Sequence, residues 1–301
     1  MDQVHPIDVL CVGAGTSDLV YSVDRHPKPD EKIRANSFIG CGGGPAANGS
    51  LTVARLGLQA AFVGYLGNDI FGNAHLEELQ QAGVITDLVA RGEHSSALSV
   101  VMVKPDGSRA LVNYRTPESF LTAGSVDFSI VDTSVILFDG HEPYISPALA
   151  RTARQRNIIT VLDAGSIHSG TEELASLVDY LVCSERFGLD FTGESTEEKA
   201  LEKLGAYAPN VIITVGDRGL FWRNVSGSGR QKAYTVRAVD TTGAGDVFHG
   251  ALAACLAQKK EWLESLSYAS AAGALCCTKI GARLGIPTKE EVKEFLATQK
   301  G

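Results

Sequence analysis

Short apolar runs that stop near glycine recur along this chain with helix-length stretches between them, and that rhythm leaves few folds open. Residues 9–12 and 60–65 are such runs, and 45–56 between them carries helical spacing. The pattern returns at 135–138, 158–162, 180–183 and 211–215, separated by helical segments at 147–156, 171–177 and 196–207. Strands apolar on both faces, alternating with helices, predict an α/β fold: a mainly parallel sheet between two helical layers.

Two segments break the rhythm. Residues 32–39 and 97–114 alternate polar and apolar side chains as half-exposed antiparallel strands do, and Pro105-Asp106-Gly107 supplies a turn. Because they interrupt the core from separate places, they are expected to form a small β-sheet lid, with strands from about 19–40 and 95–116. Beyond Val239 the chain reads as helical at 244–257 and 262–279, rich in small residues. With no linker or repeat, 1–301 reads as one domain.

The net charge of −8 removes the attraction on which nucleic-acid and anionic-membrane binders depend, leaving a small molecule as the expected partner. The start of the chain lacks the basic and apolar regions of a signal peptide and no apolar run could span a bilayer, so a cytoplasmic protein is expected. The six cysteines, at 11, 41, 183, 255, 276 and 277, show no Cys-x-x-Cys spacing and are expected to be free thiols.

Chemistry concentrates in Asp240-Thr241-Thr242-Gly243-Ala244-Gly245-Asp246. Glycines on either side of Ala244 let a ligand approach the backbone, and the apolar stretch that follows opens a helix whose free N–H groups and positive dipole end suit a phosphoryl group. A carboxylate at Asp246, steadied as an anion by that dipole, can take a proton from a hydroxyl. In isolation the tetrapeptide reads equally as a glycine-rich helix cap. A second segment, Gly42-Gly43-Gly44-Pro45-Ala46-Ala47-Asn48, combines close backbone access, a preset first helical turn and an amide that can bond a polyhydroxy ligand; alone it reads equally as a tightly packed helix start.

With both segments present and in order, the chain resembles the ribokinase-like, or PfkB, family of carbohydrate kinases over nearly its whole length. The match includes Gly13-Ala14-Gly15-Thr16-Ser17-Asp18 and the tail Gly281-Ala282-Arg283-Leu284-Gly285-Ile286-Pro287. The resemblance implies a ribokinase-like three-layer fold with a lid, ATP as phosphoryl donor, Mg²⁺ and K⁺. It implies that Asp18, Gly42, Gly43 and Asn48 bind sugar hydroxyls, that Gly243, Ala244 and Gly245 form an anion hole, and that Asp246 is the base. By the same resemblance Thr214, Gly216 and Gly219 form a nucleotide turn, and Ser184, Ser270 and Ala271 line an adenosine pocket. Asp240, Thr242, Cys276, Lys279, Gly281 and Gly285 match the family's monovalent-cation site. One departure stands out: the family's Asn-x-x-Glu, tied to Mg²⁺ handling, reads Ser184-Glu185-Arg186-Phe187 here.

For the substrate, Asn113, Arg115, His141 and Glu142 fall at predicted strand ends on the side of Asp18, and Arg115 could bind a phosphate or sulfonate bidentately or lie solvated on the lid. The stretch 240–287 is most similar to the family's bacterial sulfofructose kinases, but His141 stands where those use a sulfonate-binding arginine. Ribose, fructose and 6-deoxy-6-sulfofructose stay open. A nucleoside would want an aromatic platform, for which Phe38, Tyr114 and Phe120 are candidates. A dinucleotide-binding reading of Gly13-Ala14-Gly15 fails on Asp18, which would repel a pyrophosphate, and no P-loop is present. A non-catalytic sugar sensor is disfavoured by the intact Asp246. Exposed lid strands suggest a homodimer joined lid to lid.

Overall fold

The computed structural model of the chain describes residues 6–128 and 131–299. The extreme N-terminus, in which no signal-peptide pattern is read, lies outside the described residues. The first third runs β1 (Ile7–Val12), β2 (Thr16–Ser22), β3 (Ser37–Gly43), α1 (Pro45–Arg55), β4 (Ala60–Val63), β5 (Tyr65–Gly67) and α2 (Ile70–Gln81). It continues through β6 (Ala90–Gly92), β7 (Ala97–Val103), β8 (Arg109–Tyr114), β9 (Thr133–Phe138), α3 (Ser146–Gln155), β10 (Ile159–Ala164) and α4 (Ser169–Leu174). Then follow β11 (Tyr180–Ser184), α5 (Glu185–Thr192), α6 (Glu197–Leu204), β12 (Asn210–Thr214), β13 (Leu220–Asn224) and β14 (Gly227–Gln231). The chain closes with α7 (Ala244–Ala257), α8 (Trp262–Cys276), α9 (Ala282–Gly285) and α10 (Lys289–Thr298).

The main sheet has eight strands in the order β14-β13-β12-β11-β10-β9-β1-β4. From β12 to β4 every pairing is parallel. The run at 60–65 breaks after Val63, and Tyr65 opens β5, which pairs with β6 in a separate two-stranded sheet; the expected strands otherwise fall inside the main sheet. Each is apolar on both faces because each face meets helices. In β1, Val9 and Cys11 join the core under α1, α7 and α8, while Leu10 and Val12 join the opposite core under α3 to α6. The antiparallel hairpin β13–β14 at one edge, and helices α2, α5 and α10, extend the pattern beyond what the periodicity showed.

The lid is a separate four-stranded sheet, ordered β3-β2-β7-β8. Two expectations are corrected. Its central pair, β2 with β7, is parallel, because both strands leave the core in the same direction; only the outer pairs are antiparallel. The strand expected at 32–39 begins at Ser37 and runs through Gly42 and Gly43, and Asp18 sits within lid strand β2. Directly opposed residues share a face, so Asp18, Cys41, Ser99 and Asn113 form one row, with Val20, Ile39, Val101 and Leu111 the next on the same side. All six cysteines are free thiols, as expected.

Candidate active site

Helices α1 and α7 bring the two signature segments together at the carboxyl ends of the parallel strands. They can approach because small residues meet: a Cβ on Gly250 would lie 2.7 Å from the carbonyl oxygen of Gly49. Both starts are shaped by glycine. Gly44, at φ 92°, precedes Pro45, and Gly243, at φ 78°, caps α7 where any Cβ would meet that of Ala282 at 2.5 Å. Beyond that cap, Gly245 has open space on its Cα, and while the Ala244 amide bonds the Thr241 carbonyl at 3.3 Å, the first-turn amides of Gly245 and Asp246 have no intrahelical partners.

Asp246 occupies the third position of α7, half-buried, and its Oδ2 accepts a hydrogen bond of 2.7 Å from Nδ2 of buried Asn48. Burial, followed by the charge of Asp163, pushes the Asp246 pKa up to about 7 against the opposing pull of Asn48 and His249. Burial thus opposes the helix dipole, which favours the anion. Asp163, at the end of β10, lies 3.1 Å from Nδ1 of His249, and its own pKa is also raised to about 7, by burial and then by Asp139. Neither Asp163 nor His249 was singled out by the sequence, since their meaning depends on where β10 ends relative to α7.

The lid closes over this floor. A cleft lined by Asp18 and Cys41 from the lid and by Asp240, Thr242 and Ala282 from the core runs between the two layers. The Asp18 carboxylate, which Thr16 bonds at 2.9 Å, lies so close over Gly43 that a Cβ there would come within 2.2 Å of it. Burial raises the Asp18 pKa despite Thr16 and Arg283. Arg109, on the same lid face, donates to the Thr242 hydroxyl at 3.0 Å and spans the mouth of the cleft. Asn113 is exposed on the lid and accepts from Ser99 at 2.8 Å.

Arg115 does not face the cleft as a free cation. It bonds Glu142 at 2.5 Å and the His141 carbonyl at 2.9 Å, and lies 3.9 Å over the Phe120 ring. Glu142 is fully buried. The anion-reading role entertained for Arg115 is therefore replaced by an internal one. His141 stands 3.3 Å from the carboxylate of Asp139. Asp139 in turn accepts the amides of Ala14, Ala46 and His141, tying the ends of β1, α1 and β9 together. Phe38 and Tyr114 project from the opposite, outer face of the lid, since their neighbours Ile39 and Asn113 are in the inner rows. Phe120 packs under Arg115, so none of the three candidate aromatics presents a free ring to the inner lid face.

Thr214 ends β12, and Gly216 (φ 61°) and Gly219 (φ 98°) form the turn beyond it; a Cβ on Gly219 would meet the Gln231 carbonyl oxygen at 2.0 Å. Ser184 caps α5 by accepting from Phe187 N and donates to the Gly165 carbonyl. Ser270 accepts from Gln231 at 3.1 Å, and Ala271 is fully buried. Phe187 is buried against Phe191, and Glu185 pairs with Arg218 at 2.6 Å.

Around the cation-site segment, Asp240 accepts from Thr242 N and Gly281 N at 2.9 and 2.8 Å, and the Cys276 thiol faces the carbonyls of Thr242 and Ala282 at 3.7 Å each. Gly285 is needed where a Cβ would meet the Cys276 carbonyl at 2.4 Å. Lys279 turns its side chain to Glu291. Among the described residues no group of His, Cys, Asp and Glu side chains is arranged to hold a metal ion, so a monovalent cation here would rest on carbonyl oxygens.

The family model for pfkB family carbohydrate kinases matches residues 6–289. The chain belongs to the pfkB family of carbohydrate kinases. Among curated relatives, this pfkB chain is 28% identical to the ribokinase of Haemophilus influenzae over 95% of its length and 97% of the relative's. It is 32% identical to fructokinase-1 of Zea mays over 87% and 90%. Among solved structures, Thermotoga maritima ribokinase superposes with a TM-score of 0.88 at 30% identity, covering 97% of this chain and 99% of the other. Arabidopsis thaliana ribokinase complexed with ribose and ATP gives 0.86 at 27%, with 97% and 99% covered. The protein is an ATP-dependent carbohydrate kinase with a ribokinase-like fold. No helix among the described residues is long and apolar enough to cross a membrane.

Proposed function

We propose that this kinase transfers the γ-phosphoryl group of ATP to a hydroxyl of an uncharged ketose or pentose, with Asp246 as general base. The observation that carries the reading is the hydrogen bond from Asn48 to Asp246, which joins the two signature segments in the first turn of α7. Asp18, Gly42, Gly43 and Asn113 would meet sugar hydroxyls from above, and Asp246 would accept the proton as the hydroxyl attacks in line. The first-turn amides of α7 would hold the phosphoryl oxygens while charge moves between them. Mg²⁺ supplies neutralisation of the phosphate charge. With Ser184, Glu185 and Phe187 otherwise engaged, Asp163 is the carboxylate beside Asp246 that could orient the ion through water.

A neutral sugar fits the charges better than a sulfosugar. Asp18 and Asp240 line the cleft, and Arg115 pairs with Glu142 and Arg283 with Glu78, leaving Arg109, which bonds the Thr242 hydroxyl, as the cation at its mouth. The names of the relatives, ribokinase and fructokinase, point the same way. A nucleoside is disfavoured because Phe38 and Tyr114 face outward. We further infer K⁺ beside Asp240, Cytoplasmic residence, one kinase domain over 1–301, and a homodimer joined through the outer lid face. There Phe38 is 54%, Val112 62% and Tyr114 54% exposed.

ADP release with Mg-ATP, measured with K⁺ and again with Na⁺ across ribose, fructose, other ketoses and aldoses, 6-deoxy-6-sulfofructose and nucleosides, tests the reading. Turnover of a neutral sugar is expected, faster with K⁺. Turnover of a nucleoside alone, or of the sulfosugar alone, would overturn the substrate class.

A further inference from the structure

Arg283, on the short α9, carries no part of the two family signatures, yet it is only 4% exposed and lies at the centre of the site's polar network. Its Nε donates to Oδ1 of Asn48 at 3.1 Å. Its Nη1 lies 2.8 Å from Oε2 of Glu78, and its Nη2 meets Nε2 of His75. The same Glu78 oxygen accepts from the amide of Gly42 at 2.9 Å. Gly42 must be glycine here, since a Cβ would come within 2.3 Å of the guanidinium. The side chain thus fills the space between lid strand β3 and helices α1 and α2, directly behind the residue that bonds the base.

A guanidinium only donates. The Asn48 atom that faces it must therefore be the carbonyl oxygen, which turns the NH₂ group toward Asp246. Without that donor the orientation would rest on the Asp246 carboxylate alone, and whenever Asp246 is protonated the amide could turn its carbonyl to the acid proton, which opposes ionisation. We propose that Arg283 is a positioning residue that fixes the orientation of the Asn48 amide and through it aims the Asp246 carboxylate at the substrate hydroxyl. The proposal rests on Asp246 being the base. Burying a cation beside a carboxylate is a weak way to stabilise a fold, and a well-packed apolar side chain of similar volume often serves as well. A purely structural Arg283 would therefore be replaceable by methionine with little effect on turnover.

Other charges bear on both ends of this relay. Asp246 is faced by Asp163 from β10, Asp139 just beyond β9, Asn48 from α1 and His249 from its own helix. Arg283 is faced by Glu78 and His75 from α2, Asp18 from β2 and Cys41 from β3. Burial and the nearby guanidinium keep His75 neutral, so it accepts from Arg283 through Nε2.

The test is a double-substitution cycle in the full chain, assayed by ADP release with Mg-ATP and whichever of ribose or fructose is turned over, together with the side-chain amide signal of Asn48 in ¹⁵N-labelled protein, assigned by its loss in Asn48→Ala. Arg283→Met is expected to lower kcat by about 10- to 100-fold, the scale of a small misplacement of a reacting group. It should also move the rising limb of the kcat pH profile upward and shift the Asn48 amide signal. In the Asn48→Ala background it should cost almost nothing more. If Arg283→Met does not fold, Arg283→Lys, which keeps a cation opposite Glu78, carries the same cycle. An unmoved amide signal, an unchanged kcat, or a full repeat of the loss in the Asn48→Ala background would overturn the proposal. Asp246→Asn, assayed alongside, separates the two readings: wild-type turnover in that variant would remove the base, whereas the amide signal reports on Asn48 alone.

Discussion

At the scale of residues, the site is a crowd of carboxylates held in a space that resists charge, and its pH behaviour follows. Asp246, pushed up to about 7 by burial and Asp163, must lose its proton to act, so kcat/KM for the sugar is expected to rise with pH through a limb near that value. A pH–rate profile checks it; a limb in the ordinary carboxylate range would contradict the environment described. The same shift has a stability consequence. A carboxyl whose pKa is raised on folding binds its proton more tightly in the folded chain, so stability falls as pH climbs from the ordinary range toward 7. Asp246→Asn should therefore melt higher than the wild type at about pH 8 and lose that advantage near pH 4. Arg115 makes an opposite case. Arg115→Ala would strand the fully buried Glu142, and thermal or urea unfolding should show a loss of about 3 kcal/mol with the sugar KM unchanged. The glycines, Asn48 and Asp246 were legible in the sequence because the chemistry of each is local. Arg283 was not, since its contact with Asn48 joins residues 235 apart.

At the scale of elements, the contact between α1 and α7 sets the distance from Asn48 to Asp246. Gly250→Ala would drive a methyl to within 2.7 Å of the Gly49 carbonyl and 2.8 Å of the Thr52 Cβ, forcing the helices apart. A destabilisation of about 1–3 kcal/mol is expected. It should come with a fall in kcat that Gly83→Ala, whose Cβ would meet nothing within 4 Å, does not reproduce. The strands of the parallel sheet were readable because burial on both faces leaves continuous apolar runs. The order of the lid was not, because a strand's alternation shows which face is wet without showing its neighbour, and each β2 residue pairs with a β7 residue 81 positions further along the chain. Helix α5 escaped notice for a simpler reason: it starts one residue after β11 ends, with Ser184 serving as both strand end and helix cap.

At the scale of the whole molecule, two apolar cores flank the main sheet, and the lid beyond them turns Asp18, Ser99, Asn113 and Arg109 to its inner face. An outer face with Phe38, Val112 and Tyr114 exposed should pair with a second copy, so sedimentation velocity is expected to show a dimer that Val112→Glu dissociates. A monomer in the wild type would contradict the lid-to-lid arrangement. The central claim is chemical: a lid-covered sugar hydroxyl surrenders its proton to Asp246. The measurement that bears on it most directly is kcat for Asp246→Asn beside calorimetric sugar binding in the same variant. Sugar affinity close to that of the wild type with turnover lower by about 10²- to 10⁴-fold is the predicted result; turnover near that of the wild type would contradict the account.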